Sequence, residues 1–481
     1  MDLYRGTLYE AIIKNAGLYP DDLAYVCDGV GVTFRQHLEN VNGAMAALRS
    51  LGVRKQSRLA IRVTLEYDTQ VLMQATVALG AVAILCGEHG TLDCFLGYAP
   101  KVDPEYLLTD ETGVWTVNGE PFSYAPRRET LSVPDASPYD CTVIIFTSGS
   151  TGTPKAVMLR EYGILNTMLG EIECNGNRHG DIFICVAPLN HILGFGLMCL
   201  LVLCAGTEVS RKKLSTAAAM ADIEKYRCNW IVTVPTFLMR LAEDERRGEY
   251  DLSSLKYGHI TGGPYTLEQF CLIERELDMT LRSGCGMTEN SPSYSGSRIT
   301  DSFHTRARTM GRPFPNLEMA ILDDEGRPLP QGQTGEICVQ GVGVMLGYYG
   351  DPEATGRVVV DSWLHTGDLG YLDGEGCLRL AGRKKDIIIR SGNNLSPAVI
   401  EAELMTLPFI KEVAVVGIPD PERGEMPAAA VVLKPGCSLD YEAMKAAVIK
   451  PEIPEKVIVL DKLPLTSSGK PDKRAIREML K

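Results

Sequence analysis

Residues 142–155 read TVIIFTSGSTGTPK, and the fold is decided in this stretch. Its first half, from Thr142 to Phe146, is apolar on both faces, as a strand of a helix-covered parallel sheet requires. Its second half changes character at once. Thr147, Ser148, Ser150 and Thr151 bring hydroxyls, Gly149 and Gly152 bring backbone freedom, and Lys155 brings a positive charge. Glycines let a backbone turn tightly and aim N–H groups at an anion. Hydroxyls and a lysine add donors and charge for phosphate oxygens. The Walker spacing G-x-x-x-x-G-K-[ST] does not occur here, so this phosphate loop is of another kind.

Outward from this loop, short apolar runs alternate with helical patterns. Tyr106 to Asp110, Asp181 to Leu189 and Asn229 to Pro235 read as further buried strands, and Thr33 to Leu51 and Ala217 to Tyr226 as helices. Such alternation predicts an α/β fold of doubly wound open sheets. Beyond about residue 315 turns become denser, and LDDEGRPLPQGQTGEICVQG (Leu322 to Gly341) predicts a β-rich subdomain. A small α/β pattern closes the chain: a helix at Val399 to Leu407, strands VAVVGI and AAAVVL, a helix at Tyr441 to Ile449, and strand KVIVL. The reading divides the chain into a large N-terminal region (1–382), a junction (383–386) and a small C-terminal domain (387–481), a size that suits an independent domain.

At 481 residues, several domains are expected. A net charge of -13 argues against nucleic acid as a partner. The 14 cysteines contain no C-x-x-C pair and read as reduced, mostly buried thiols. Cys86, His89 and Cys94 imitate a metal site, but the ligand set is incomplete and reads as structural. The N-terminus has no long apolar core, and the apolar run Gly194 to Gly206 is too short to cross a bilayer. The expectation is a cytoplasmic protein with no membrane span.

The remaining motifs follow in a fixed order: Pro188-Leu189-Asn190-His191-Ile192-Leu193-Gly194, Gly262-Gly263-Pro264, Gly286-Met287-Thr288-Glu289, Trp363-Leu364-His365-Thr366-Gly367-Asp368, Gly382-Arg383-Lys384-Lys385-Asp386, and Pro464-Leu465-Thr466-Ser467-Ser468-Gly469-Lys470. Together with TSGSTGTPK they resemble the adenylate-forming superfamily of acyl-CoA synthetases, peptide-synthetase adenylation domains and firefly-type luciferases. The likeness runs from about Thr33 to the C-terminus. It implies ATP, Mg²⁺ and coenzyme A as cofactor and co-substrates, and a C-terminal domain that rotates about Lys385 between two half-reactions. Residues 147–152 and Lys155 would hold phosphates. Gly262, Gly263 and Pro264, with Cys285, Gly286 and Met287, would flank adenine and the acyl group. Glu289 would hold Mg²⁺, a hard cation that prefers carboxylate oxygen, and Thr288 a phosphate. Asp368 and Arg383 would contact the ribose. His191 would border the acid pocket. Ser391, Gly392 and Asn393 would line the thiol path. Lys470 would bridge the carboxylate and the α-phosphate, a role suited to a compact charge on a flexible stem.

Three departures stand out. Cys285 occupies the place of an adenine-stacking aromatic, whose loss costs on the order of 1 kcal/mol. Ala156 replaces a frequent glycine, and Gln56-Ser57 replaces an early Gly-Asp turn in what reads as a superficial change. Amino-acid-activating relatives place an aspartate near Leu189-Asn190-His191. None stands here, and an unpaired buried ammonium would be costly. The expected reaction is therefore adenylation of a fatty or aromatic carboxylic acid followed by thioester formation with coenzyme A. The alternatives are a stand-alone ligase loading an acyl carrier protein, and a nucleotide-binding protein without catalysis.

Overall fold

The computed structural model of the chain describes residues 2–87, 102–110, 114–133, 136–147, 154–391, 393–465 and 471–480, and of Asn394 the backbone alone. Two units emerge: residues 1–319 with 339–364, and residues 320–338 with 365–481.

The first unit contains two sheets, each with a parallel core. In spatial order the larger core runs Thr280–Gly286, Tyr257–Ile260, Trp230–Thr233, Ile182–Cys185, Thr207–Ser210 and Leu23–Cys27, every neighbour parallel. The smaller runs Cys141–Thr147, Val82–Gly87, Arg58–Val63 and Tyr106–Asp110, again parallel. Phe183, Ile231 and Val143 on these strands are fully buried, as helix cover on both faces demands. Helices connect them. Phe34–Ser50 opens on a capping box in which Thr33 accepts from the Gln36 amide while the Gln36 side chain returns to Thr33. The apolar run beginning near Gly194 is helix Ile192–Cys204, buried along most of its length. Among the described residues no helix is long and apolar enough to cross a membrane.

The strand that carries the phosphate loop pairs antiparallel with Lys155–Arg160, and Thr147 faces Lys155 across the pair. These two strands lie toward one edge of the smaller sheet. Strand Gly347–Tyr348 closes that edge, pairing antiparallel with Val157 and Met158.

In the second unit, strands Leu378–Arg383 and Trp363–Leu372 pair antiparallel with Asp368 opposite Arg383. The C-terminal part holds strands Ile410–Asp420 and Gly424–Leu433, with Lys456–Val459 parallel to the latter, and helices Pro397–Leu404 and Tyr441–Ala447. Ile400, Val415, Ala429 and Met444 fill its core.

Gln56-Ser57 is not superficial. Gln56 sits at φ 63, a left-handed conformation that favours glycine. Its side-chain amide donates to the carbonyl of Cys141 at 3.0 Å, which ties the turn to the root of the phosphate-loop strand. Ala156 lies in ordinary strand geometry, so the missing glycine there has no conformational consequence.

Candidate active site

Four segments of the first unit carry the residues that follow. Strand Tyr257–Ile260 ends in Gly262, which adopts φ 75 and needs its glycine. Gly263 packs against the Pro235 ring that starts the next helix. Strand Thr280–Gly286 delivers Cys285 and Gly286. A Cβ on Gly286 would meet the Pro292 carbonyl oxygen at 1.9 Å, so no other residue fits between those backbones. Met287 then leads into the short 3₁₀ turn Thr288–Asn290, where Thr288 and Glu289 are both buried. His191 is the exposed N-cap of helix Ile192–Cys204.

Glu289 is held from two directions. Its backbone carbonyl accepts from the Met345 amide at 2.9 Å. Its carboxylate Oε1 accepts from the Tyr348 hydroxyl at 2.9 Å, both residues being buried. The Tyr348 ring also meets Lys155, whose Nζ lies 4.4 Å from the ring centroid, within cation–π range. Burial, and then the charge of Glu289, pushes the Tyr348 phenol far above its usual range, so it remains a proton donor at any working pH. The array joins the root of the phosphate loop to the acid of the G-x-T-E element. Sequence reasoning missed Tyr348, since Gly347-Tyr348-Tyr349-Gly350 carries no signal beyond its aromatics.

Cys285 makes a polar contact of 3.0 Å from Sγ to the hydroxyl of Tyr294, a fully buried side chain on the neighbouring antiparallel strand. Three residues earlier, Arg282 is completely buried and paired with Glu171 and His259. Burial alone would raise the Glu171 carboxyl, but the Arg282 guanidinium beside it outweighs that and holds it below its ordinary value. Burial, reinforced by Arg282, pushes His259 down to about 3, so its imidazole is neutral. This buried network props up the strand that ends in Cys285 and Gly286.

In the second unit the Thr366-Gly367-Asp368 segment of strand Trp363–Leu372 is fixed by the Thr366 hydroxyl. Thr366 Oγ1 donates to the Ile337 carbonyl at 2.7 Å, and the Asp368 amide donates to Thr366 Oγ1 at 3.1 Å. Asp368 is buried and its Oδ1 lies 2.9 Å from Arg383 Nε. Lys385, Ser391 and Asn393 are exposed. Ser148, Gly149, Ser150, Thr151, Gly152, Gly392 and Lys470 lie outside the described residues, as do His89 and Cys94; Cys86 is buried.

A sequence profile of AMP-binding enzymes matches residues 13–349, and one of the AMP-binding enzyme C-terminal domain matches residues 399–470. The feruloyl-CoA synthase of an Amycolatopsis species is 33% identical over 97% of both chains. The acyl-CoA synthetase homologue YngI of Bacillus subtilis is 35% identical over 69% of this chain, and the match covers 62% of that protein. Among solved structures, the o-succinylbenzoate CoA synthetase of Bacillus subtilis in complex with its acyl-adenylate intermediate superposes with a TM-score of 0.85 at 25% identity over 99% of each chain. The chain belongs to the AMP-binding enzyme family, the adenylate-forming acyl-CoA synthetases and ligases.

Proposed function

We propose that the chain activates a carboxylic acid without an α-amino group, aromatic or fatty, and transfers its acyl group to coenzyme A. In the first half-reaction a carboxylate oxygen attacks the α-phosphorus of ATP and pyrophosphate leaves. In the second, the thiol sulfur attacks the acyl carbon, AMP leaves, and the thiol proton passes to solvent. Relatives named for feruloyl and o-succinylbenzoyl thioesters favour an aromatic acid.

The observation that carries the reading is the Lys155–Tyr348–Glu289 array at the root of the loop. Two anions must meet in the first half-reaction, so charge has to be neutralised as phosphorus is attacked. Lys155 supplies a fixed ammonium beside the phosphate loop. Glu289 supplies a buried carboxylate whose donor set suits a hard divalent cation. Magnesium, when bound there, supplies further neutralisation of phosphate charge. Thr288 and Thr147 offer hydroxyls to phosphate oxygens. Asp368, aligned by Arg383, accepts from ribose hydroxyls. Cys285, Gly286 and Met287 with Gly262, Gly263 and Pro264 flank the base, and His191 borders the acid. Lys470 bridges the reacting carboxylate and α-phosphate. The small domain, 387–481, turns about the 383–386 junction at Lys385, and Ser391 and Asn393 line the thiol's approach.

The test is pyrophosphate release across a panel of aromatic and aliphatic acids, with and without coenzyme A. Release with one acid class and a thioester in the presence of coenzyme A supports the reading. Release without any coenzyme A thioester would move the acceptor to a carrier protein. Binding of ATP with no release for any acid would remove the catalytic assignment.

A further inference from the structure

Two adjacent stretches of the second unit place three metal-ligating side chains together, and none of them has a part in the reaction proposed above. Glu336, Cys338 and His365 present their ligand atoms within 4.8 Å of one another. Cys338 Sγ lies 3.4 Å from His365 Nδ1, and that nitrogen lies 3.3 Å from Glu336 Oε2. In tetrahedral zinc sites, bond lengths near 2.3 Å to sulfur and 2.0–2.2 Å to nitrogen and oxygen put neighbouring ligand atoms roughly 3.3–3.6 Å apart. The two edges that meet at His365 Nδ1 therefore already match those of such a tetrahedron, and the third pair of ligand atoms lies within 4.8 Å. We propose that Glu336, Cys338 and His365 form a binding site for a thiophilic divalent cation of the zinc class, with solvent as the fourth ligand.

The surroundings agree with that assignment. Thiolate, imidazole and carboxylate together select zinc over magnesium or calcium, which take oxygen ligands. Glu336 Oε2 is shared at 3.3 Å with Lys384 Nζ, a cation that entry of a metal would repel. Lys384 has a second partner to keep, Asp324 Oδ1 at 3.0 Å. Lys384 and Asp324 offset one another in charge, which leaves the Glu336 carboxylate as a negative charge for a divalent cation to neutralise. Glu336 is also oriented from behind: its Oε1 accepts from the Gly367 amide at 3.1 Å, the kind of outer contact that fixes a ligating carboxylate.

That last contact links the site to the strand residue immediately before Asp368. A cation on Glu336 and His365 clamps both ends of the segment that positions Asp368, so occupancy changes nucleotide affinity. This consequence rests on the ribose role proposed for Asp368, whereas cation binding does not.

The experiment uses the full chain in a background where the exposed thiols Cys271 and Cys437 are serine. Chelator-treated protein is titrated with Co²⁺ and then Zn²⁺, with thiolate-to-cobalt charge-transfer absorption as the readout. Expected are one equivalent of cobalt with a thiolate band, displacement by zinc, and loss of the band in Cys338→Ser. Zinc affinity should fall in Cys338→Ser and in His365→Gln by at least the 10–100-fold typical of losing an outer-shell partner. A hydrogen-bonded Cys–His–Glu cluster that binds no metal gives no band in the parent protein, and that result overturns the proposal. So does a band, or an affinity, that survives Cys338→Ser. Nucleotide affinity measured with and without zinc then tests the link to Asp368 separately.

Discussion

Replacing Tyr348 by phenylalanine removes one hydroxyl and leaves the ring beneath Lys155 in place. The hydroxyl donates to the Glu289 carboxylate at 2.9 Å inside the protein, with both partners buried. Hydrogen bonds to charged groups contribute about 1.5–3 kcal/mol, so the loss corresponds to roughly 10- to 150-fold in any equilibrium or rate that depends on Glu289 being held there. Steady-state pyrophosphate release, titrated with magnesium at saturating acid, should show that loss as a higher magnesium requirement. Tyr348→Leu removes the ring as well, and its cation–π contact with Lys155 is worth about 0.5–2 kcal/mol more. It should therefore also raise the KM for ATP. A double-mutant cycle with Glu289→Gln isolates the pair: the two substitutions should be strongly non-additive, with a coupling near the full hydrogen-bond value. Strict additivity, or a Tyr348→Phe variant with unchanged magnesium dependence, would refute the claim that Tyr348 acts through Glu289.

Other substitutions probe the rest of the molecule. Burial pushes the carboxyls of Glu161 and Glu208 up from 4.5 to about 7. A raised carboxyl favours the folded state below its unfolded pKa, and that stability is lost as pH rises through about 7. The Glu161→Gln and Glu208→Gln variants should each flatten the decline between pH 5 and 8, by up to about 3 kcal/mol in denaturant unfolding. Arg282→Met strands the buried Glu171 carboxylate and should destabilise the first unit by about 3–5 kcal/mol, read as a lower denaturation midpoint. Cys285→Tyr places an aromatic at the proposed adenine-flanking position and should lower the KM for ATP about fivefold, the equivalent of about 1 kcal/mol of stacking; an unchanged KM counts against a stacking role at that position. Asp368→Asn weakens the pair with Arg383 and, with the ribose role proposed for Asp368, the KM for ATP should rise with little change in the KM for the acid.

The parallel cores were legible because their strands are short runs, apolar on both faces and followed by turn or loop residues. Tyr106–Asp110 coincides with the sequence expectation residue for residue. Ile182–Cys185 and Trp230–Thr233 are shorter than expected, because the apolar run continues past the last ladder bond into the loop that follows. The motifs were legible for a related reason. Gly286 must be glycine to pass the Pro292 carbonyl, and Asp368 lies directly opposite Arg383 across two strands, so the chemistry is written in consecutive or paired positions.

What the sequence left unread is whatever acts across a register between segments distant in the chain. Tyr348 reaches Lys155 and Glu289 because a two-residue strand pairs with Val157 and Met158, and nothing local to Gly347 and Tyr348 specifies that pairing. Glu336 and Cys338 alternate along one strand, and His365 enters from another strand 27 residues beyond Cys338. No ligand motif spans that interval, whereas Cys86, His89 and Cys94 looked like one by spacing alone. Side chains separated by one residue on a strand share a face, so two ligands on one strand and a third on another strand are enough to build a cluster. A sequence read in windows reports the first two as ordinary alternation. The same reasoning locates where further unread function in this fold is to be sought: at short edge strands and sheet crossings, where register alone decides which side chains meet.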